Sequence, residues 1–140
     1  MPEASFNQIE QEVQQSFKGL AEAVNAIDVK GYFAFFDHEK FVGLNADGTN
    51  WNSIEDLERL IYPSFELIQK VESLVFTNVR ISVIDANTAI LVNEYEQRVL
   101  LKSGELVDFA GGGTQVWSKA SGRWKLVSVS ASVKPSAAKS

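Results

Sequence analysis

The chain has 140 residues, of which 45% are apolar and 22% charged, with a formal net charge of −5, one histidine and no cysteine. That is the size and make-up of one globular domain with its own core, and it excludes disulfides, thiolate nucleophiles, thiolate metal sites and any His-rich metal centre. Negative net charge, with Lys and Arg scattered along the chain, opposes binding to nucleic acid, and no apolar run reaches the length of a membrane span. Neither a cofactor nor a metal is expected. The opening residues have neither the basic start nor the apolar stretch of a secretory signal, so the expected location is the cytoplasm.

Phe6, Ile9, Val13, Phe17, Leu20, Val24 and Ile27 recur three or four residues apart, one apolar stripe on a long helix lying on a sheet. Asp28 then caps a second helix, Val29 to Phe36, whose four aromatic residues require burial. Phe41 to Ala46 alternates like a strand and turns through Asn45-Ala46-Asp47-Gly48 back to Trp51. Ser53 and Asp56 form a variant capping box for a third helix through Ile54, Leu57, Leu60 and Ile61, which Pro63 breaks or kinks. The rest of the chain reads as four long strands: Leu74–Ile84, Thr88–Leu101, Leu106–Lys119 and Trp124–Val133. Residues 1–134 are read as one domain and residues 135–140 as a frayed polar tail. This order predicts an α+β fold, a cone-shaped, curved antiparallel sheet covered on its concave face by three N-terminal helices, with Gly111 to Gly113 where a strand can bend.

Two stretches, Asp28 to Phe36 and the hairpin Thr114 to Ser132, together with the order of elements over nearly the whole chain, resemble the nuclear transport factor 2-like superfamily, with its cystatin-like fold. That superfamily includes ketosteroid isomerases, polyketide cyclases of the SnoaL type and the association domain of a calmodulin-dependent kinase. The isomerase site pairs a strand-borne aspartate base with a tyrosine and a protonated aspartate. Carried over from Asp28 to Phe36, the base falls at about Leu44 and the tyrosine at about Leu20; from Gly122-Arg123, the second aspartate falls at about Thr114. None is retained, so that constellation is disfavoured. The cyclases commonly use a His and an Asp, and His38, beside Asp37 and Glu39, reads as a surface or capping residue.

A two-residue turn at Ser103-Gly104 would set Asn93 opposite Thr114; with Thr114 facing the helices, as the resemblance implies for that position, Leu91, Asn93, Tyr95, Gln97 and Val99 share the helix-facing side with Asp108, Ala110, Gly112 and Val116. In the last strand two parities remain open. Either Val127, Val129 and Ala131 point inward, or a bulge at Ser121-Gly122 sends Leu126, Ser128 and Ser130 there. The inward list is mostly apolar with a polar cluster at Asn93, Tyr95, Gln97 and Thr114, which suits a pocket for a small apolar molecule, closed from the helical side by Tyr32, Trp51 and Tyr62. Equally, Asn93 and Thr114 could satisfy one another across the strands. Asp108 is the sole candidate general base, a solvated or salt-bridged carboxylate being its bland alternative. On the outer face, Ile90, Val92, Trp117, Trp124 and Leu126, with Ser128 allowing close approach, predict a homodimer interface. Two functions are compatible with this pattern: an isomerase-like or cyclase-like ligand-binding domain, or a non-catalytic dimerisation module.

Overall fold

The computed structural model describes residues 3–134, so the polar tail expected at 135–140 lies outside the described residues. The N-terminal stripe folds as α1, Glu3–Asn25, and buries Ile9, Val13, Phe17, Leu20 and Ala23. It ends just before Ile27. There the amide of Ile27 donates to the Val24 carbonyl at 3.0 Å and that of Asp28 to Ala23 at 2.9 Å, a Schellman closure. Ile27 holds the left-handed position of that closure at φ 53°, where a glycine is usual.

The Asp28 carboxylate accepts the Gly31 amide at 3.0 Å and opens α2, Val29–Phe33. This helix is shorter than predicted because the sheet captures the backbone of Phe35 to Asp37. Leu126 donates its amide to the Phe35 carbonyl at 2.8 Å, and Asp37 donates to the Leu126 carbonyl at 2.9 Å. His38 Nε2 lies 2.9 Å from the Phe33 carbonyl, a side-chain cap on the end of α2. The small hairpin is β1, Val42–Leu44, and β2, Asn50–Trp51, closed by Gly48 at φ 90°.

α3 runs Ile54–Glu66 and passes through Pro63, which neither ends the helix nor starts the next element. Proline has no amide hydrogen to donate to the Arg59 carbonyl, but the loss of one bond does not stop the final turn. The capping box is also modified: Ser53 makes no side-chain cap bond, while Asp56 accepts the Asn52 amide at 2.9 Å.

Four long strands complete the chain: β3 Ile68–Asp85, β4 Thr88–Leu101, β5 Leu106–Ser118 and β6 Lys125–Val133. They join the hairpin in a six-stranded sheet of order β2-β1-β6-β5-β4-β3. β1 and β6 are parallel, with Gly43 beside Val129, so the sheet is mixed rather than wholly antiparallel as predicted.

Two turns set which side chains face the helices. Between β4 and β5 the loop is Lys102-Ser103-Gly104: Leu101 donates its amide to the Glu105 carbonyl at 2.8 Å, and Gly104 sits at φ 92°. That is a type I turn with a glycine bulge, one residue longer than the predicted turn. The extra residue shifts the pairing, so Asn93 stands opposite Gly113, Leu91 opposite Gln115 and Val92 opposite Thr114. Because side chains alternate, the shift reverses every β5 assignment. Between β5 and β6, Trp117 pairs with Leu126 but Val116 pairs with Ser128, leaving Val127 as a bulge. Leu126 therefore points into the core before the bulge, and Val129 and Ala131 face the same side after it.

The consequence for the expected interface is large. Trp117 and Leu126 are fully buried at 0% exposure and Trp124 is 8% exposed, all three within the core that α1, α2 and α3 form against the sheet. None of them belongs to the outer face. Trp124 is also tied to α1: its Nε1 donates to Glu12 Oε1 at 2.7 Å, with Lys119 Nζ 3.3 Å from the same oxygen. The Trp124 indole, more than Lys119, holds the Glu12 carboxyl below the ordinary value of 4.5. A carboxylate depressed on folding contributes stability above its unfolded pKa and loses it as pH falls through the folded value. Glu12→Gln is therefore expected to cost about 1 kcal/mol at pH 7, discounted for its partial exposure. The difference from the parent chain should vanish in urea titrations repeated progressively below pH 4.5.

Candidate functional site

Between the three helices and the inner sheet face lies a cavity of about 390 Å³. Leu20 and Tyr32 line it from α1 and α2, Trp51 from β2, and Leu57 and Ile61 from α3. The sheet supplies Asn93, Tyr95 and Gln97 from β4, Gln115 from β5, and Val129 and Ala131 from β6. The space exists partly because β5 carries no side chain at Gly113, opposite Asn93 on the inner face; Gly113 and its neighbour Gly112 also line it. A Cβ at Gly113 would collide with the Ser130 carbonyl oxygen of β6, so this closeness of backbones requires glycine.

The lining side chains are apolar, amide or hydroxyl. Tyr32 packs its ring 5.1 Å from Phe36 and 5.5 Å from Phe65. Burial, and to a lesser degree the charge Tyr95 would carry, pushes the Tyr32 phenol up to about 12. Burial raises Tyr95 as well. Both phenols thus remain hydroxyl donors at neutral pH, and neither can serve there as a base. The Asn93 amide reaches towards the Gly113 carbonyl at 3.5 Å, the limit for a hydrogen bond, rather than towards Thr114.

Of the residues singled out in the sequence, Tyr32, Trp51, Asn93, Tyr95 and Gln97 surround this cavity. Tyr62 does not; it is exposed and stacks on Phe33 with ring centroids 5.5 Å apart. Thr114 is on the outer face, between Val92 and Ser130. Asp108 is on that outer face too, where Arg98 Nε and Nη2 donate to its two carboxylate oxygens at 2.7 and 3.2 Å. The Arg98 guanidinium holds its carboxyl below the usual value. A solvated, ion-paired carboxylate turned away from the cavity cannot be its general base. Asp108→Asn should accordingly leave the affinity of any cavity ligand unchanged, as calorimetric titration of the variant would reveal.

Gln115 is a polar lining residue that the sequence pattern did not single out. The available signal was Gly104, third in its loop: a glycine there favours the longer turn, and the longer turn points Gln115 inward.

Residues 13–135 match the model of the SnoaL-like domain. The chain belongs to the SnoaL-like family. No curated protein matches the sequence of this SnoaL-like domain. Among solved structures, it is similar to a nuclear transport factor 2-like superfamily protein from Salmonella enterica serovar Typhimurium, with TM-score 0.80 and 16% identity over 96% of this chain and 97% of that one. A hexachlorocyclohexane dehydrochlorinase aligns with TM-score 0.77 and 11% identity over 96% and 90% of the respective chains. The association domain of CaMKII from C. elegans aligns with TM-score 0.73 and 22% identity over 94% and 99%. At these identities the likeness is one of fold. Among the described residues, no helix is long and apolar enough to cross a membrane.

Proposed function

We propose that this SnoaL-like domain binds a small, mostly apolar molecule between its helices and sheet, with Tyr32, Trp51, Asn93, Tyr95, Gln97 and Gln115 as the contacting residues. The observation that carries this reading is an apolar cavity of about 390 Å³ furnished with a few neutral polar groups, which is how small-molecule sites are usually built. Since its lining offers amides and phenols rather than a carboxylate or imidazole, the reading is of binding without general-base catalysis from the protein. A thermal-shift screen with steroids, polyketide-like ketones and fused aromatics tests it. A ligand at a hundred times its Kd adds about 2.7 kcal/mol, which for a chain of this size raises Tm by roughly 5–10 °C. A flat screen across all three classes would remove the proposal.

A second reading, association through the outer sheet face, is favoured by one specific observation. Two rows of neighbours cross that face, Ile90-Val116-Ser128-Val42 and Val92-Thr114-Ser130-Leu44. Val42, Val92 and Leu44 are 51%, 43% and 37% exposed, which leaves aliphatic groups in water beside small hydroxyls that permit close approach. A homodimer packed through these rows would use Ile90, Val92 and Ser128 but none of the core tryptophans. Sedimentation at micromolar concentration should then give twice the chain mass, and Val92→Asp should return it to monomer. A monomeric parent chain would rule this reading out.

A further inference from the structure

The buried face of β5 carries a pair of side chains with an unequal division of hydrogen bonds. Trp117 Nε1 donates to Gln115 Oε1 at 2.9 Å, and both residues are buried. An indole nitrogen can only donate, so the bond fixes which end of the amide faces Trp117. The Gln115 oxygen is held as an acceptor by that bond, and its NH2 group, which makes no hydrogen bond among the described residues, is open to the cavity the residue lines rather than sealed in the core. Trp117, at 0% exposure, has no freedom to turn away and release the amide.

We propose that Gln115, held by Trp117, is the specificity-determining donor of the cavity and selects uncharged ligands bearing a carbonyl or ether oxygen. This rests on the cavity-binding reading above. Tyr32 and Tyr95 add hydroxyl donors to the same lining, while the other groups there carry no charge. A neutral acceptor entering the cavity pairs with an NH2 group that makes no hydrogen bond among the described residues. A carboxylate or an ammonium would lose its water without meeting an opposite charge, a far larger penalty than one neutral hydrogen bond repays. Trp117 acts through Gln115 and is a positioning residue; it touches no ligand.

The test compares four probes of one shape, naphthalene, 2-acetylnaphthalene, 2-naphthoate and 2-(aminomethyl)naphthalene, by calorimetric titration of the full chain at pH 7.5. The ketone should bind about fivefold or more tighter than naphthalene, the equivalent of about one neutral hydrogen bond. The carboxylate and the amine should each bind more weakly than the ketone by a factor of about ten or more. Gln115→Leu should bring the dissociation constants of naphthalene and 2-acetylnaphthalene together. Trp117→Phe, which frees the amide to rotate, should lower the same ratio, whereas a merely structural role for Trp117 would weaken both probes in proportion. Should Trp117→Phe fail to fold, Gln115→Leu still decides the matter. Equal binding of ketone and naphthalene, a ketone preference that survives Gln115→Leu, or naphthoate binding as tightly as the ketone would each overturn the assignment while leaving the cavity as a binding site. Failure of all four probes would instead overturn the cavity reading, and this assignment with it.

Discussion

Replacing Trp117 by alanine is expected to destabilise the domain by about 3–5 kcal/mol, the range for truncating a large buried aromatic. Trp117 is fully buried, belongs to the same core as Leu91 and Leu126, and donates a hydrogen bond to the Gln115 side-chain oxygen. Removal leaves a hole that a sheet paired on both sides of β5 cannot close, together with a buried amide oxygen without its donor. Since natural domains are stable by only about 5–15 kcal/mol, the loss takes a large share of the total. Urea denaturation followed by circular dichroism would measure it. The outcome also separates the two places this residue could have held. An interface tryptophan, once truncated, would lower the association constant and leave the monomer folded; a core tryptophan lowers the urea midpoint at any protein concentration.

Gly113→Val should cost nearly as much. A Cβ built at this position runs into the Ser130 carbonyl oxygen and comes within 3.4 Å of the Ala131 Cα, both on the backbone of β6. Backbone atoms of a paired strand cannot swing aside as a long side chain can, so β5 and β6 must separate or slide. Overpacking of this kind costs about 1–3 kcal/mol, and more when ladder hydrogen bonds are strained with it. Gly113 also lines the cavity, so the variant should lose ligand affinity as well as stability. Thermal unfolding with and without 2-acetylnaphthalene reads both. A valine variant as stable as the parent would mean that β5 and β6 do not approach closely at this position.

Much of the architecture is legible in the sequence because it is local. The apolar spacing from Phe6 to Val24 dictates α1, Asp28 does cap α2, and the turn residues between strands give β4 with its bounds unchanged. Glu94 and Arg98 of β4, which the alternation places on the outer face, are there, Glu94 with Lys134 at 3.1 Å and Arg98 with Asp108 at 2.7 Å. The errors concentrate where a single residue changes parity. Taking Ser103-Gly104 as the whole turn puts Thr114 and Asp108 inside and Trp117 outside; the loop includes Lys102, and all three reverse. At α2 the pattern hides a competition: Phe35 and Phe36 suit a helix, yet their backbone meets β6 instead.

Periodicity and turn chemistry act between residues a few positions apart, so they are enough to specify the class of fold, the order and most of the bounds of its elements, and which residues of β4 share one face. They do not specify which face of β4 meets the helices or which β5 residues share it; the packed sheet does. Packing likewise makes the bulge at Val127 turn both Leu126 and Val129 inward, and anchors Gln115 on Trp117. Alternation along a strand has a period of two, so one inserted residue inverts every side chain beyond it, and nothing in the local pattern records the insertion until the neighbouring strand is in place.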